Sequence, residues 1–439
     1  MSVNSTDEQQ SPHAKIIIVG AGMAKTQGWA PGNLQIMVYE HRPQDAVSMA
    51  NRYPVQLSSD ARTALQRILT PVGFNNLVGE SNYDIVHEGV NILNSDLAHL
   101  FSNRKHENEQ PQWANMNVLR EVLSEGLKIT WCKRVVRVRE VQQKVEVVFE
   151  DGSTELADFV IGADGMNSTI RSQLHPSLSP PHSLPYVFVQ FKLATSPSKI
   201  PTAFQQDGMN LVLGNSSNST QIIVFSGRPL PPLDPKTALK MSEEGPFAEP
   251  DDTVKAVQKQ LDDPKSGFVL ARMTIPTRLA EGWEDYNEGS WIDRILTILR
   301  HDGTNEAMIK MIEDDLVPAT THASLMFSDE AGKAVPFREG RIVLVGDAMH
   351  VVPPTSANGI AAAILDAQGI SETLLTSSEF GGPGGPLQAL LPQNHYASKT
   401  RSEAYLKESL HLLEVSNQSG IQGSLHRGML RSMDWFKTL

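Results

Sequence analysis

One stretch of this 439-residue chain restricts its possible folds more than any other: residues 340–367, GRIVLVGDAMHVVPPTSANGIAAAILDA. Ile342 to Val345 is an apolar run that reads as a buried strand. It runs into Gly346-Asp347, so a carboxylate stands at the strand's carboxyl end. Pro353-Pro354 stiffens the turn that follows, small residues surround Gly359, and an Ala-rich helix begins. Strand, carboxylate, rigid turn and helix start form one unit. The carboxylate accepts from hydroxyls, and the free amides of the helix start face partial negative charge. That pairing suits a bound polyol carrying a planar, electron-rich ring.

The segment resembles the second Gly-Asp motif of FAD-dependent monooxygenases of the para-hydroxybenzoate hydroxylase type, and is most similar to fungal members associated with secondary metabolism. The resemblance rests on GDAxH, the proline spacing and the closing Asp366-Ala367. It implies that Asp347 binds the ribityl chain of FAD. It also implies that Pro354 lies beside the flavin ring and that the Gly359-Ile360 backbone faces the ring's pyrimidine edge. Ala357 and Ala361 depart from the family pattern, which has Gly and often Asn there. Taken alone, the same stretch also fits an ordinary turn with a solvent-facing Asp.

Two further motifs join it. Lys15 to Val19 is an apolar strand leading into Gly20-Ala21-Gly22, and Leu34 to Tyr39 is the next strand, closed by Glu40. This is the start of a dinucleotide fingerprint, in which Gly20 and Gly22 approach the pyrophosphate and Glu40 accepts from the adenosine ribose. Lys25 stands where close helix–strand contact calls for Gly. The following TQGWAPGN has no helical apolar period, and an interior Pro costs a helix about 3 kcal/mol. A full crossover helix is not expected there, and FAD retention is expected to be weaker than in intact relatives. The other motif runs from Asp158 to Arg171, an apolar strand ending in Gly162-Ala163-Asp164-Gly165, with Ser168 and Arg171 opening a helix. It resembles the family's Asp-Gly motif, which implies a cofactor role for Asp164. The same residues also describe an Asp-Gly turn with a helix cap. The family places an FAD-contacting Arg where this chain has Met116. Arg120 is the candidate substitute, with a solvated helix Arg as the alternative.

Along the chain, strand–helix units sit at both ends with β-rich sequence between them. The expected class is α/β: a discontinuous Rossmann-like FAD-binding domain with a second β-sheet substrate domain and a C-terminal helical segment. The expected boundaries are 1–14 for a disordered N-terminus, and 15–70 with 110–180 and 335–380 for the FAD-binding domain. Residues 71–109 with 181–334 form the sheet domain, and 387–439 the C-terminal helical segment. A net charge of −12 argues against nucleic acid or an anionic membrane as main partner. No run reaches a membrane span, and the polar N-terminus lacks a signal core, so a cytoplasmic protein is expected. The single cysteine, Cys132, is expected as a buried thiol on a strand. The thirteen histidines show no metal-binding spacing, and no metal site is expected.

The resemblance implies a flavin that carries the chemistry, NAD(P)H as reductant, O2 as oxygen source and a small-molecule organic substrate that is hydroxylated or epoxidised. No catalytic side chain is nominated. His350 is read as a packed structural side chain. Two other readings stay open: a flavin-dependent reductase or oxidase without oxygen insertion, and a degenerate flavin fold with weak or no FAD binding.

Overall fold

Five short strands lie side by side in parallel: Ala14–Val19 (β1), Leu34–Tyr39 (β2), Ile129–Thr130 (β8), Phe159–Gly162 (β12) and Ile342–Leu344 (β19). Their order is β19-β12-β1-β2-β8, so the strand of the 340–367 segment joins a sheet begun at residue 14. In this computed structural model the described residues are 14–21, 34–44, 53–79, 82–83, 89–103, 112–205, 209–215, 217–225, 228–229, 259, 263, 266–280, 289–317, 320–330, 335–356, 358–380 and 384–437. The expectations for Gly22, Lys25, the crossover segment, Ala357 and the first thirteen residues fall outside them.

Parallel strands covered on both faces read as continuous apolar runs, and successive side chains point to opposite sides. Ile16, Ile18, Phe159 and Ile161 face Ile370, Leu374, Leu387 and Leu391 of two helices, Asn358–Thr376 (α7) and Leu387–Ser416 (α8). Ile17, Val19, Val160 and Leu344 face a three-stranded antiparallel sheet of Val135–Val141 (β9), Lys144–Phe149 (β10) and Thr154–Ala157 (β11). The β9–β10 hairpin turns at Gln142, which takes φ +58°.

A larger sheet has the order β18-β13-β17-β15-β14-β5-β6. Its strands are Val90–Asn94 (β5), His99–Asn103 (β6), His182–Leu193 (β13), Met209–Leu213 (β14), Ser219–Phe225 (β15), Ser266–Pro276 (β17) and His322–Ser328 (β18), with Arg228–Pro229 (β16) alongside β17. One face packs Phe191, Val269, Ala271 and Met273 onto Ile295 and Leu299 of Gly289–His301 (α5) and Met308 and Ile312 of Glu306–Asp315 (α6). The other face packs Ile223, Phe225, Phe268 and Leu270 against Tyr83 and Trp113. Those aromatics belong to a small sheet of Pro54–Leu57 (β3), Asn82–Tyr83 (β4) and Gln112–Asn115 (β7). Helices Ser59–Ile68 (α1), Pro71–Val78 (α2) and Met116–Ser124 (α3) fill the corner between this sheet and α7. Ser58 caps α1 by accepting from the Ala61 amide at 3.2 Å. Thr169–Leu174 (α4) follows β12, and Gly420–Lys437 (α9) lies against β6.

Two features differ from the sequence reading. β17, the third strand of the large sheet, was not anticipated, because SGFVLARMTIP carries an Arg within its apolar run. Cys132 is exposed rather than buried. The strand ends at Thr130, and Cys132 sits in the following turn with φ +55°. Among the described residues no helix is long and apolar enough to cross a membrane.

Candidate functional site

The carboxyl end of β19 delivers the Gly-Asp turn. Gly346 has φ +56°, a left-handed value that favours glycine, and an added Cβ would lie 3.2 Å from the Ala363 Cβ. Asp347 opens onto a cavity of about 380 Å³ and so keeps solvent-accessible surface there, while protein encloses it elsewhere. That enclosure raises its carboxyl above the ordinary range. His350 opposes the shift, and Asp329 and Asp366 add to it. Pro354, Gly359 and Ile360 line the same cavity. The last two lie in the first turn of α7, where backbone amides have no partner within the helix. Ala361 is buried against the core beside Leu119.

Beneath the turn, Asp366 of α7 gathers four donors. It accepts from the Gly346 amide at 3.0 Å, His350 Nε2 at 2.6 Å, the Arg401 guanidinium at 2.6 Å and the Ser398 hydroxyl. Burial alone would raise the Asp366 carboxyl, but His350, Arg401 and Ser398 outweigh it and hold it far below the usual range. Burial alone would lower His350, but Asp366 and Asp347 outweigh it and raise the imidazole. The contact with Asp366 therefore braces the turn and biases the imidazole toward its charged form. His350 is 2% exposed and is absent from the described cavity lining.

The first strand ends at Gly20 with φ +101°, and an added Cβ would lie 2.2 Å from the Ala163 carbonyl oxygen. Gly20 thus lets the β1 turn touch the Asp-Gly loop. Ala163 and Gly165 of that loop line the cavity. Asp164 itself turns toward α4, accepting from Ser168 Oγ at 2.5 Å and from the Ile170 amide at 3.2 Å. Burial raises its carboxyl against the pull of those donors. Arg171, on the same helix, is 2% exposed and forms a fork with Asp329 at 2.5 and 3.2 Å. Asp329 also accepts from the Val351 amide at 2.8 Å. The Asp-Gly and Gly-Asp motifs are therefore joined through one buried ion pair.

Glu40 closes β2 and is 2% exposed. Its carboxylate accepts from the amides of Ala21 and Arg42, each at 3.0 Å. Burial acts to raise it, but those amides with Arg42 and His41 hold it below the usual range. Arg120 lies within electrostatic reach of Glu40 and Arg42. Burial pushes its guanidinium down to about 10, with Arg42 adding and Glu40 opposing. The structure thus groups Arg120 with Glu40 and gives the cavity wall to Met116.

Sequence reasoning missed the wall supplied by the sheets. Tyr53, Gln56, Phe188, Gln190 and Arg272 line the cavity opposite the motif residues. One signal was available: a single Arg inside the apolar run Val269 to Ile275.

Comparison with known proteins agrees with this geometry. Residues 77–228 and 299–379 match the family model described as FAD binding domain. The FAD-dependent monooxygenase thnD of Trichoderma harzianum is 26% identical over 265 residues, 58% of this chain and 56% of that protein. The FAD-dependent monooxygenase nscC of Trichophyton rubrum is 24% identical over 283 residues, 62% of this chain and 61% of that protein. The chain thus spans about three-fifths of the length of these relatives. In fold it is similar to a crystal structure described as a putative FAD-containing monooxygenase from Photorhabdus luminescens (TM-score 0.72, 19% identity, 92% of this chain and 98% of that one). It is also similar to Klebsiella pneumoniae HpxO complexed with FAD and uric acid (TM-score 0.68, 16% identity, 96% and 93%). With its Gly-Asp turn, its Asp-Gly loop and the parallel sheet that aligns them, the chain belongs to the FAD binding domain family.

Proposed function

We propose that this chain is an FAD-dependent monooxygenase that uses NAD(P)H and O2 to hydroxylate or epoxidise an organic small molecule, in secondary-metabolite biosynthesis in the cytoplasm. One observation carries the reading. The cavity of about 380 Å³ has one wall from the Gly-Asp turn, Pro354 and the start of α7, and another from the sheets. The first wall offers a carboxylate, a rigid ring face and free helix amides, which fit a ribityl chain and a flavin ring. The second offers Val55 and Phe188, with Met116 of α3 beside them, an apolar surface that would exclude water from a substrate.

Bound there, FAD would supply the redox chemistry. The chain's own residues position it. Asp347 would accept from the ribityl hydroxyls, Pro354 would support the ring, and the Gly359 and Ile360 amides would meet the pyrimidine edge. Gly20, Gly22, Glu40 and Arg120 would serve the adenosine and pyrophosphate half, and Asp164, bonded to the start of α4, would brace the Asp-Gly loop beside it. Glu40 already satisfies two backbone amides, so it has less to offer a ribose than a free carboxylate. This supports weaker retention of the adenosine half.

The test is a visible spectrum of purified protein titrated with FAD, followed by NADPH oxidation under ¹⁸O₂ with candidate substrates. The expected result is a perturbed flavin band and label in the product. Protein that stays colourless after incubation with FAD would overturn the reading. NADPH oxidation without label in any product would favour a reductase or oxidase.

A further inference from the structure

The last helix, α9, turns four large apolar side chains outward. Ile421, Leu425, Met429 and Met433 recur every four residues and are 82%, 69%, 56% and 46% exposed. Residues four apart share a helix face with a slow drift, so the four form one continuous ridge. Leu430, half a turn away from Ile421, holds the opposite side of the helix against Leu100 of β6 and Leu213 of β14. Ser424, Gly428 and Ser432 follow the ridge at the same spacing and, being small, leave it raised above its surroundings. Single exposed apolar residues need no explanation, but a contiguous apolar ridge marks an interaction surface.

Charge decides what covers the ridge. Between Gly420 and Met433 the helix carries His426, Arg427 and Arg431 and no acid, in a chain whose net charge is −12. Arg431 is exposed and Arg427 half-buried. By helical spacing the two arginines lie on one flank, between the Leu430 seam and the row of small residues. A second copy laid ridge to ridge would bring these arginines toward their own counterparts, with no acid in that stretch to pair them. An anionic lipid leaflet satisfies both features. Acyl chains receive the ridge, and the low row of small residues admits headgroups beside guanidinium groups carried on long stems. α9 is not apolar enough to cross a membrane, so it would lie in the plane of one leaflet. We propose that α9 is a membrane-surface helix that seats this chain on an anionic leaflet. It is a local exception in an acidic chain, whose remainder opposes the same surface, so the attachment is reversible. Because α9 packs on β6, the outer edge of the large sheet turns toward the lipid. The proposal does not depend on the flavin reading.

Vesicle co-sedimentation of the full chain tests it, with phosphatidylcholine alone against phosphatidylcholine containing phosphatidylserine at equal total lipid. Partition should be at least about ten-fold stronger onto the anionic vesicles and should fall as salt is raised. Ile421→Ser combined with Leu425→Ser should lower it at least about ten-fold, since both side chains lose their place in the acyl region. Arg431→Gln should lower it about five-fold on anionic vesicles and leave neutral vesicles unaffected. All three positions are exposed, so the melting temperatures should match wild type. The wild-type comparison needs no variant to fold. Equal partition onto the two vesicle types, including none onto either, overturns the proposal. So does partition that survives the paired Ser substitutions. Sedimentation velocity without lipid reads the other occupant. A dimer that the paired Ser substitutions convert to monomer gives the ridge to a second copy and overturns the proposal, whereas a wild-type monomer supports it.

Discussion

Asp366 and His350 meet at 2.6 Å beneath the Gly-Asp turn, each 2% exposed. Removing one member of a buried pair leaves an uncompensated charge and costs about 3–5 kcal/mol. Arg401 stays with Asp366 in His350→Gln, so a loss near the lower end, about 3 kcal/mol, is expected in urea unfolding. His350 is raised, so its contribution is complete below about pH 6.5 and is lost as pH rises through the raised folded value. Asp366 is depressed, so its contribution is complete above about pH 3.9 and is lost as pH falls through the folded value. The stability gap between wild type and His350→Gln should therefore be widest between about pH 4 and 6.5 and narrow in alkali. A gap independent of pH would show that the pair is not ionic.

Arg171→Met should cost about 3–5 kcal/mol, because it strands Asp329 in the interior. Adding Asp329→Asn removes the stranded charge. The double variant should then recover part of the loss, measured as a positive coupling in a double-mutant cycle. Strictly additive losses would argue that the two side chains act separately.

Gly20 and Gly165 both have positive φ, but their surroundings differ. A Cβ at Gly20 meets the Ala163 carbonyl at 2.2 Å, whereas one at Gly165 meets nothing within 4 Å. Gly165→Ala should cost only the conformational penalty, about 1 kcal/mol. Gly20→Ala adds a backbone clash and should lower the calorimetric melting temperature clearly further. Equal shifts would mean that the β1 turn does not press on the Asp-Gly loop.

Cys132 is the chain's single cysteine and is exposed. One equivalent of Ellman's reagent should react with the native protein at neutral pH, at a rate close to that in denaturant. Labelling that requires unfolding would place the thiol inside.

Local patterns made the parallel sheet and its motifs legible. Apolar runs over Lys15 to Val19, Leu34 to Tyr39 and Phe159 to Ile161 name strands without any partner in view, and Ser58 announces a helix. What stayed illegible depends on distant pairing. β5 joins β14 in parallel across more than a hundred residues, and nothing near Val90 signals that choice. Arg272 was overlooked because an Arg within an apolar run weakens a strand signal. Its meaning emerges only once Gln190, Trp113 and Pro54 surround it. Cys132 was misjudged because the residues before it look like a strand that in fact stops two positions earlier.

The long helix α8 reaches the Gly-Asp turn from behind. Thr355 donates to the Ser409 carbonyl at 2.8 Å and Asn358 to Glu408 at 2.9 Å, while Arg401 meets Asp366. A ribosome makes residues 340–367 before it makes α8, so the turn leaves the exit tunnel unbraced and its fastening arrives later. Cofactor capture then waits for α8 rather than for the first strand and its glycines.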